Sequence, residues 1–143
     1  MIIDEEGPQV EQTKDAVHGP DHYALEGDRV YLVGSRCPEC DAAFYPEQAV
    51  CARCGHRGSE PLRLGPGGTL YTWTRVHQST AEFKTPYVLG YMDFSQNVRV
   101  LVPLTDGAEP KIGMALELVL APGPRMGADQ TPATLVHARP VRR

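Results

Sequence analysis

All four cysteines of the chain lie in one stretch, CPECDAAFYPEQAVCARC. They form two C-x-x-C pairs, Cys37 with Cys40 and Cys51 with Cys54, with ten residues between the pairs. Two such pairs on a short hairpin can place four sulfurs at the corners of a tetrahedron around Zn²⁺. Because four thiolates fill the coordination shell of zinc, the ion would have a structural role and would bind no substrate. The stretch therefore predicts a zinc ribbon with one structural Zn²⁺.

Other uses of the same thiols fit the sequence less well. Structural disulfides belong to oxidising compartments, and the acidic N-terminus MIIDEEGPQVEQ does not resemble a secretory signal. A thioredoxin-like redox pair would need a βαβ unit around one of the motifs, and the sequence indicates none. Iron stays open as a less favoured occupant, because four thiolates also form rubredoxin-like sites. His56 follows the last cysteine closely, but the four sulfurs already complete the shell, so we predict that it is solvated.

The elements that must position these thiols follow from composition along the 143 residues. Residues 1–21 carry six acidic side chains and one basic one, Lys14, with no apolar periodicity. This pattern predicts a flexible acidic arm. Residues 22–62 contain the cysteines, introduced by the short apolar strand RVYLVGSR, and form the predicted ribbon. Residues 63–143 form a separate predicted β domain.

Five strand candidates separated by Gly, Pro, Asn and Asp make up this second domain. They lie in GPGGTLYTWTRVHQST, PYVLGYMDF, NVRVLVPL, MALELVLA and ATLVHARPV. In NVRVLVPL the inward positions would be Val98, Val100, Val102 and Leu104, and in MALELVLA they would be Met114, Leu116, Leu118 and Leu120. A five-stranded OB-fold barrel fits best, because closure removes exposed sheet edges, and a sandwich remains an alternative.

The chain lacks the usual catalytic signatures. It has no G-x-S-x-G, G-x-x-x-x-G-K or H-E-x-x-H motif. With every cysteine committed to metal, no thiol nucleophile is left over. His77 and Asp93 would form an acid and base pair only if the fold brought them together. The sequence therefore favours a protein that does not catalyse a reaction by itself.

Charge and hydropathy limit the partners and the compartment. The formal net charge is −4, and between Gly68 and Ala121 four basic residues face five acidic ones. That balance would repel phosphate, so a module that binds single-stranded nucleic acid is the weaker alternative. No stretch approaches the roughly 18 apolar residues of a membrane span. We therefore expect a cytoplasmic protein with no membrane contact.

Four segments in this order resemble one known family. They are GSRCPECDAAFYPEQAVCARCG, GPGGTLYTWTRV, TPYVLGYMDF and KIGMALELVL, and the resemblance covers roughly residues 22–141. The family consists of acyl-CoA-associated proteins with an N-terminal rubredoxin-like zinc ribbon followed by an OB-fold. The implied fold class is thus mainly β. Asp41 departs from the family pattern, which usually has Gly there, and this change bears on the first cysteine turn but not on the set of ligands.

The resemblance implies a role as a partner. Such proteins accompany a thiolase-like catalytic subunit that cleaves a carbon–carbon bond of an acyl-CoA in a β-oxidation-type step. Examples are the small subunit of benzoylsuccinyl-CoA thiolase in toluene degradation and the companion of an aldolase that removes steroid side chains. The implied protein is a non-catalytic accessory subunit of a hetero-oligomer, and the partner mainly binds the acyl-CoA. The accessory subunit would stabilise the partner and complete the partner's substrate pocket.

Contact residues are expected among aromatic side chains, because these carry much of the energy of an interface. We expect contacts with the partner or substrate from Phe44, Tyr45, Trp73, Phe83, Tyr87 and Tyr91. Phe83 is the favoured one of the barrel set, since Trp73 and Tyr91 could instead fill the barrel. Arg53, with Arg36 and Arg57, could meet CoA phosphates, although an ordinary solvated face is the alternative.

Overall fold

The described part of the chain is built from β-strands. The computed structural model describes residues 9–12, 22–105 and 107–141. Within these ranges there is no helix long and apolar enough to cross a membrane. The strands are β1 (Gln9–Gln12), β2 (His22–Glu26), β3 (Arg29–Arg36), β4 (Ala43–Phe44), β5 (Glu60–Leu64), β6 (Gly67–Val76), β7 (Tyr87–Phe94), β8 (Val98–Pro103), β9 (Ala115–Met126) and β10 (Pro132–Pro140).

The first sheet is centred on β3, which carries the predicted strand sequence RVYLVGSR. β3 pairs with β2 and then β4 along one edge, and with β5 along the other, in each case antiparallel. Its burial alternates at first and then becomes continuous from Leu32 to Ser35, because neighbouring strands cover both of its edges. The strand ends at Arg36, so the first cysteine, Cys37, follows directly after the central strand of the sheet.

The predicted acidic arm is described only at residues 9–12. These residues form β1, which pairs antiparallel with β2 from Gln9 opposite Leu25 to Gln12 opposite His22. The sequence did not predict this strand. The rest of the arm lies outside the described residues, so its flexibility stays a prediction. The boundary at residue 62 also stays a prediction, and β5 runs across it.

The second sheet contains all five strands predicted for the C-terminal domain. Its order is β10-β9-β6-β7-β8, with antiparallel pairing throughout. A parallel bridge between Leu104 and Ala138 then links the end of β8 to β10. This bridge curls the sheet toward closure, in the manner of an OB-fold barrel. The predicted fold class, a zinc ribbon followed by an OB-fold, is confirmed.

Alternation along the strands fills the barrel. Val98, Val100 and Val102 are buried, whereas Arg99 and Leu101 between them are exposed, as the sequence pattern predicted. On β9, Leu116 and Leu118 are buried, and Leu120 packs against the same core from its margin, as does Met114 just before the strand. The interior leaves no room for a side chain at Gly90, because a Cβ there would lie 2.7 Å from Leu70 and Leu104.

One hydrophobic core serves both sheets. Tyr23, Val30, Leu32 and Leu64 come from the first sheet and join the same cluster as the buried residues of the barrel. Leu32 and Leu64 face each other across β3 and β5 and are fully buried. The ribbon is therefore fixed against the barrel by packing. Each buried side chain of this size stabilises the fold by about 1.5–3 kcal/mol.

The closest backbone approach in the first sheet occurs at Gly34. A Cβ on Gly34 would lie 2.2 Å from the carbonyl oxygen of Phe44. Real Cβ atoms do not tolerate such a distance, and the obstructing atom is backbone. Glycine is thus required where β4 folds back over β3.

We predict that Gly34→Ala destabilises the chain by about 1–3 kcal/mol, because β4 must move away from the added methyl group. The measurement is the free energy of unfolding in denaturant. Gly67→Ala is the matched control, since a Cβ there would be 3.7 Å from its nearest neighbour, the carbonyl oxygen of Leu116. Equal stability of the two variants would contradict the prediction.

Candidate metal centre and contact residues

The two C-x-x-C turns have the same backbone geometry. In the first, the amide of Asp41 donates to the carbonyl of Cys37, and in the second, the amide of Gly55 donates to the carbonyl of Cys51, both at 2.9 Å. Asp41 and Gly55 each have a positive φ, 65° and 80°. Asp41 therefore takes the conformation that glycine would take, and the first turn is not altered by it. Aspartate is one of the few residues that adopts this conformation at modest cost.

The four predicted ligand atoms come together. The Sγ atoms of Cys37, Cys40, Cys51 and Cys54 all lie within 4.8 Å of one another. The Cys37–Cys54 and Cys40–Cys51 sulfur pairs are each 3.6 Å apart, and all four cysteines are free thiols. A tetrahedron of sulfurs about 2.3 Å from a central Zn²⁺ has edges of roughly 3.8 Å. The cluster thus has the size and donor set of a four-thiolate metal site.

Backbone amides favour the thiolate form at Cys51. The N–H groups of Cys54 and Arg53 donate to its Sγ at 3.4 and 3.3 Å. These donors, the Cys54 amide foremost, lower the pKa of the Cys51 thiol to about 6. A metal binds the thiolate and not the thiol, so this ligand is already prepared at neutral pH. The same amides would stabilise the sulfur charge in a loaded site.

Two hydrogen bonds attach the segment between the cysteine pairs to the first sheet. The buried Ser35 hydroxyl accepts from the amide of Gln48 at 2.9 Å. The Tyr45 hydroxyl accepts from the amide of His22 at 3.2 Å, and its ring packs against the core. Tyr45 therefore supports the ribbon from within the chain. A contact between Tyr45 and a partner stays a prediction, as does one for Phe44.

Trp73 and Tyr91 do not fill the barrel. These residues are 37% and 41% exposed, because the interior is occupied by aliphatic residues together with Met92 and Phe94. The barrel-filling alternative is wrong for both. They lie on opposite faces of the sheet, since Trp73 is paired with Gly90, the neighbour of Tyr91. Both aromatic side chains are accessible to a partner.

Phe83, which we expected to be an exposed contact residue, is buried. It is only 9% exposed, although it lies in a loop of polar residues. Its ring stacks on Tyr87 with centroids 5.7 Å apart, and its backbone bridges to Arg125 on β9. The expectation that Phe83 is the best-placed aromatic contact is therefore not supported by its position, because the ring is used to hold the loop against the barrel.

Two of the arginines that were predicted to meet CoA phosphates, Arg36 and Arg53, have different surroundings. The Arg36 guanidinium lies 3.1 Å from Glu60 and 3.6 Å from Asp41, so its charge is compensated within the chain. Arg53 is exposed, and only its backbone amide takes part in the metal site. Its predicted contact with CoA phosphate stays a prediction.

His77 and Asp93 do not form a pair. Asp93 is opposite Thr69 at one end of the β6–β7 ladder, whereas His77 follows Val76 at the other end. The two ends are about 20 Å apart at the rise of a β-strand. Asp93 binds Arg99 instead. An acid and base pair of these two residues is thereby excluded.

Sequence reasoning missed two exposed side chains, Tyr71 and Leu101. Both are more than 40% exposed and lie on the strands that flank β7. A strict period of two would have marked Leu101 as outward, since it alternates with buried valines. Tyr71 has no such signal, because it occupies a β-bulge between Leu70 and Thr72 that the sequence does not announce.

The fold and the cysteine cluster define a zinc-ribbon protein with an attached OB-fold. Two family models match this arrangement, the ChsH2 rubredoxin-like zinc ribbon domain over residues 26–60 and the ChsH2 C-terminal OB-fold domain over residues 63–121. A DUF35 domain-containing scaffold protein from Methanothermobacter thermautotrophicus is 30% identical over 97 residues, which is 64% of this chain and 72% of that protein. The chain belongs to this ChsH2 (DUF35) family.

Two further similarities come from named complexes. The benzoylsuccinyl-CoA thiolase subunit BbsA from Thauera aromatica is 33% identical over 79 residues, which is 55% of each chain. A solved structure described as the Ltp2-ChsH2(DUF35) aldolase has a TM-score of 0.61 and 24% identity, and covers 77% of this chain and 84% of the other. At that identity the structural match speaks for the fold alone.

We predict that Cys54→Ser removes most of the bound metal and lowers the stability of the chain, because metal-binding energy contributes directly to the folding of small ribbons. The measurements are metal per chain by elemental analysis and the midpoint of thermal unfolding. His56→Ala is the matched control and should keep its metal, since the sulfurs form the cluster without it. Metal loss in the histidine variant alone would refute the four-thiolate assignment.

A second prediction concerns the positive φ of Asp41. Asp41→Gly should keep both the metal and the fold, whereas Asp41→Val should be about 1–2 kcal/mol less stable than the glycine variant. The physical reason is the clash of a β-branched side chain in the left-handed region. Both variants lose the same exposed contact with Arg36, so the comparison isolates the backbone. Equal unfolding free energies would rule out this origin.

Proposed function

We propose that this chain is a non-catalytic accessory subunit of a thiolase-like complex that cleaves a carbon–carbon bond of an acyl-CoA. The observation that carries the proposal is family membership, together with relatives named as a scaffold protein and a thiolase subunit. Benzoylsuccinyl-CoA, whose cleavage in toluene degradation is a β-oxidation-type thiolysis, is one candidate substrate because BbsA is among the similar proteins.

We propose Zn²⁺ as the structural metal, with iron as the less favoured occupant. Cys37, Cys40, Cys51 and Cys54 would hold it, and four thiolates leave no ligand position for substrate. When bound, the ion supplies a fixed cross-link between the two cysteine turns. The residues of the chain itself then keep the ribbon in place against the barrel, through Ser35, Tyr45 and the shared core.

The proposed division of labour leaves the chemistry to the partner. The thiolase-like subunit provides the nucleophile and the bases and binds most of the acyl-CoA. The present chain stabilises that subunit and completes its substrate pocket, with Phe44, Tyr45, Trp73, Tyr87 and Arg53 as candidate contacts. The hetero-oligomer is proposed to be cytoplasmic.

An aldolase partner is the second candidate. It is favoured by the similarity in fold to the solved aldolase complex that contains a ChsH2 (DUF35) component. The two candidates differ in the reaction. Thiolysis consumes free CoA, because the CoA thiol takes up, as a new thioester, the acyl group released when the carbon–carbon bond breaks, whereas a retro-aldol cleavage of an acyl-CoA needs no free CoA.

The test is co-expression of this chain with a thiolase-like protein from the same genome. We expect the two to co-elute in size exclusion, and we expect acyl-CoA cleavage to rise at least tenfold over the partner alone. Assays with and without free CoA then distinguish thiolase from aldolase. Full activity of the partner alone, unchanged when this chain is added, would overturn the accessory role. Elemental analysis of the same complex tests for zinc.

A further inference from the structure

Three apolar side chains lie side by side on the outer face of the barrel. Tyr71, Tyr91 and Leu101, here called the outer patch, are 49%, 41% and 42% exposed. They come from three adjacent strands, β6, β7 and β8, and Tyr91 is directly opposite Leu101. The patch is therefore continuous across the sheet.

The outer patch is not a displaced part of the core. Leu70, Met92, Val100 and Val102, the residues before and after its members, are buried inside the barrel. Alternation turns the patch residues to the other face. Tyr71 follows the same direction through the bulge, because the exposed Arg99 lies over its ring at 3.4 Å. A contiguous group of exposed apolar side chains is a candidate interaction site.

Two arginines on this face, among the residues that the structure describes, are already paired with carboxylates. Arg99 binds Asp93 in a bidentate manner, Nε to Oδ1 at 2.6 Å and a terminal nitrogen to Oδ2 at 3.1 Å. Arg139 donates to Glu117 at 2.7 Å on the same side of the sheet. Both pairs join residues that are opposite each other on neighbouring strands.

These two ion pairs indicate which kind of molecule could bind the outer patch. A surface that binds nucleic acid or another polyanion needs arginines free to meet phosphates, and Arg99 and Arg139 are each matched by a carboxylate. A neutral surface with aromatic side chains at its centre and paired charges around them is typical of a protein interface. The complementary surface on the partner would be apolar and without net charge.

We propose that the outer patch is where the catalytic partner subunit docks, with Tyr91 and Leu101 at the centre of the contact. This inference rests on the proposed function, because the relatives named as a scaffold and a subunit point to a different protein as occupant and not to a second copy of this chain. It places the interface on the wall formed by β6, β7 and β8. The loop that holds the buried Phe83 is then not the main anchor.

The test uses the full chain and its co-purified thiolase-like partner. Leu101→Lys and Tyr91→Lys should each weaken the affinity for the partner about tenfold or more, because a charge without a counterpart would be buried at the centre of the contact. Tyr91→Phe should bind as the wild type does, since it keeps the ring. Affinities are measured by titration calorimetry, and unfolding midpoints and metal content show that each variant is folded.

Val141→Lys is the matched control. Val141 is 40% exposed, like Leu101, but its amide donates to the carbonyl of Ala115 at the start of β9, three strands away from β8. We expect its affinity to be unchanged. If the wild type binds the partner and Leu101→Lys binds equally well, the outer patch is not the docking surface, while the proposed accessory role stands.

Other outcomes identify other occupants. If the wild type does not bind the partner at all, both proposals fail. If the wild-type chain forms a concentration-dependent dimer that Leu101→Lys abolishes, the patch serves a second copy and the inference is overturned. Binding of single-stranded oligonucleotide that is lost in Tyr91→Ala, which removes the ring without adding a positive charge, would overturn it as well.

Discussion

The ribbon sheet and the barrel share one hydrophobic core, and packing within it fixes the ribbon against the barrel. Leu32 and Leu64 are fully buried where β3 and β5 meet the barrel. β3 leads directly into Cys37, so the same strand anchors one end in the core and presents a metal ligand at the other. The cysteine cluster holds the ribbon tip together, and the core decides where that tip lies relative to the barrel.

The sequence predicted most of the fold because its signals were local. The spacing of the cysteines predicted the four-sulfur cluster, and alternation at Val98, Val100 and Val102 predicted both a strand and its inward face. β1 was missed, because its pairing with β2 depends on a partner strand and not on a pattern within QVEQ.

The aromatic residues were harder to place for the same reason. Phe83 lies in a polar loop but is buried by stacking on Tyr87, and Trp73 lies in a strand but is exposed. Neither outcome is encoded in the neighbouring residues. A bulge at Tyr71 shifts the register of β6 by one residue, which local periodicity cannot reveal. Contact surfaces are therefore less predictable than metal ligands, since they depend on long-range register.

The stack of Arg99 on Tyr71 has a consequence for the entropy of association. An exposed arginine ordinarily samples many rotamers, and immobilising such a side chain on binding costs about 0.5–1.5 kcal/mol. Here Asp93 and the Tyr71 ring already hold the guanidinium in one place. That ordering takes place when the barrel folds. A molecule that binds this face of the barrel therefore costs Arg99 little additional side-chain entropy.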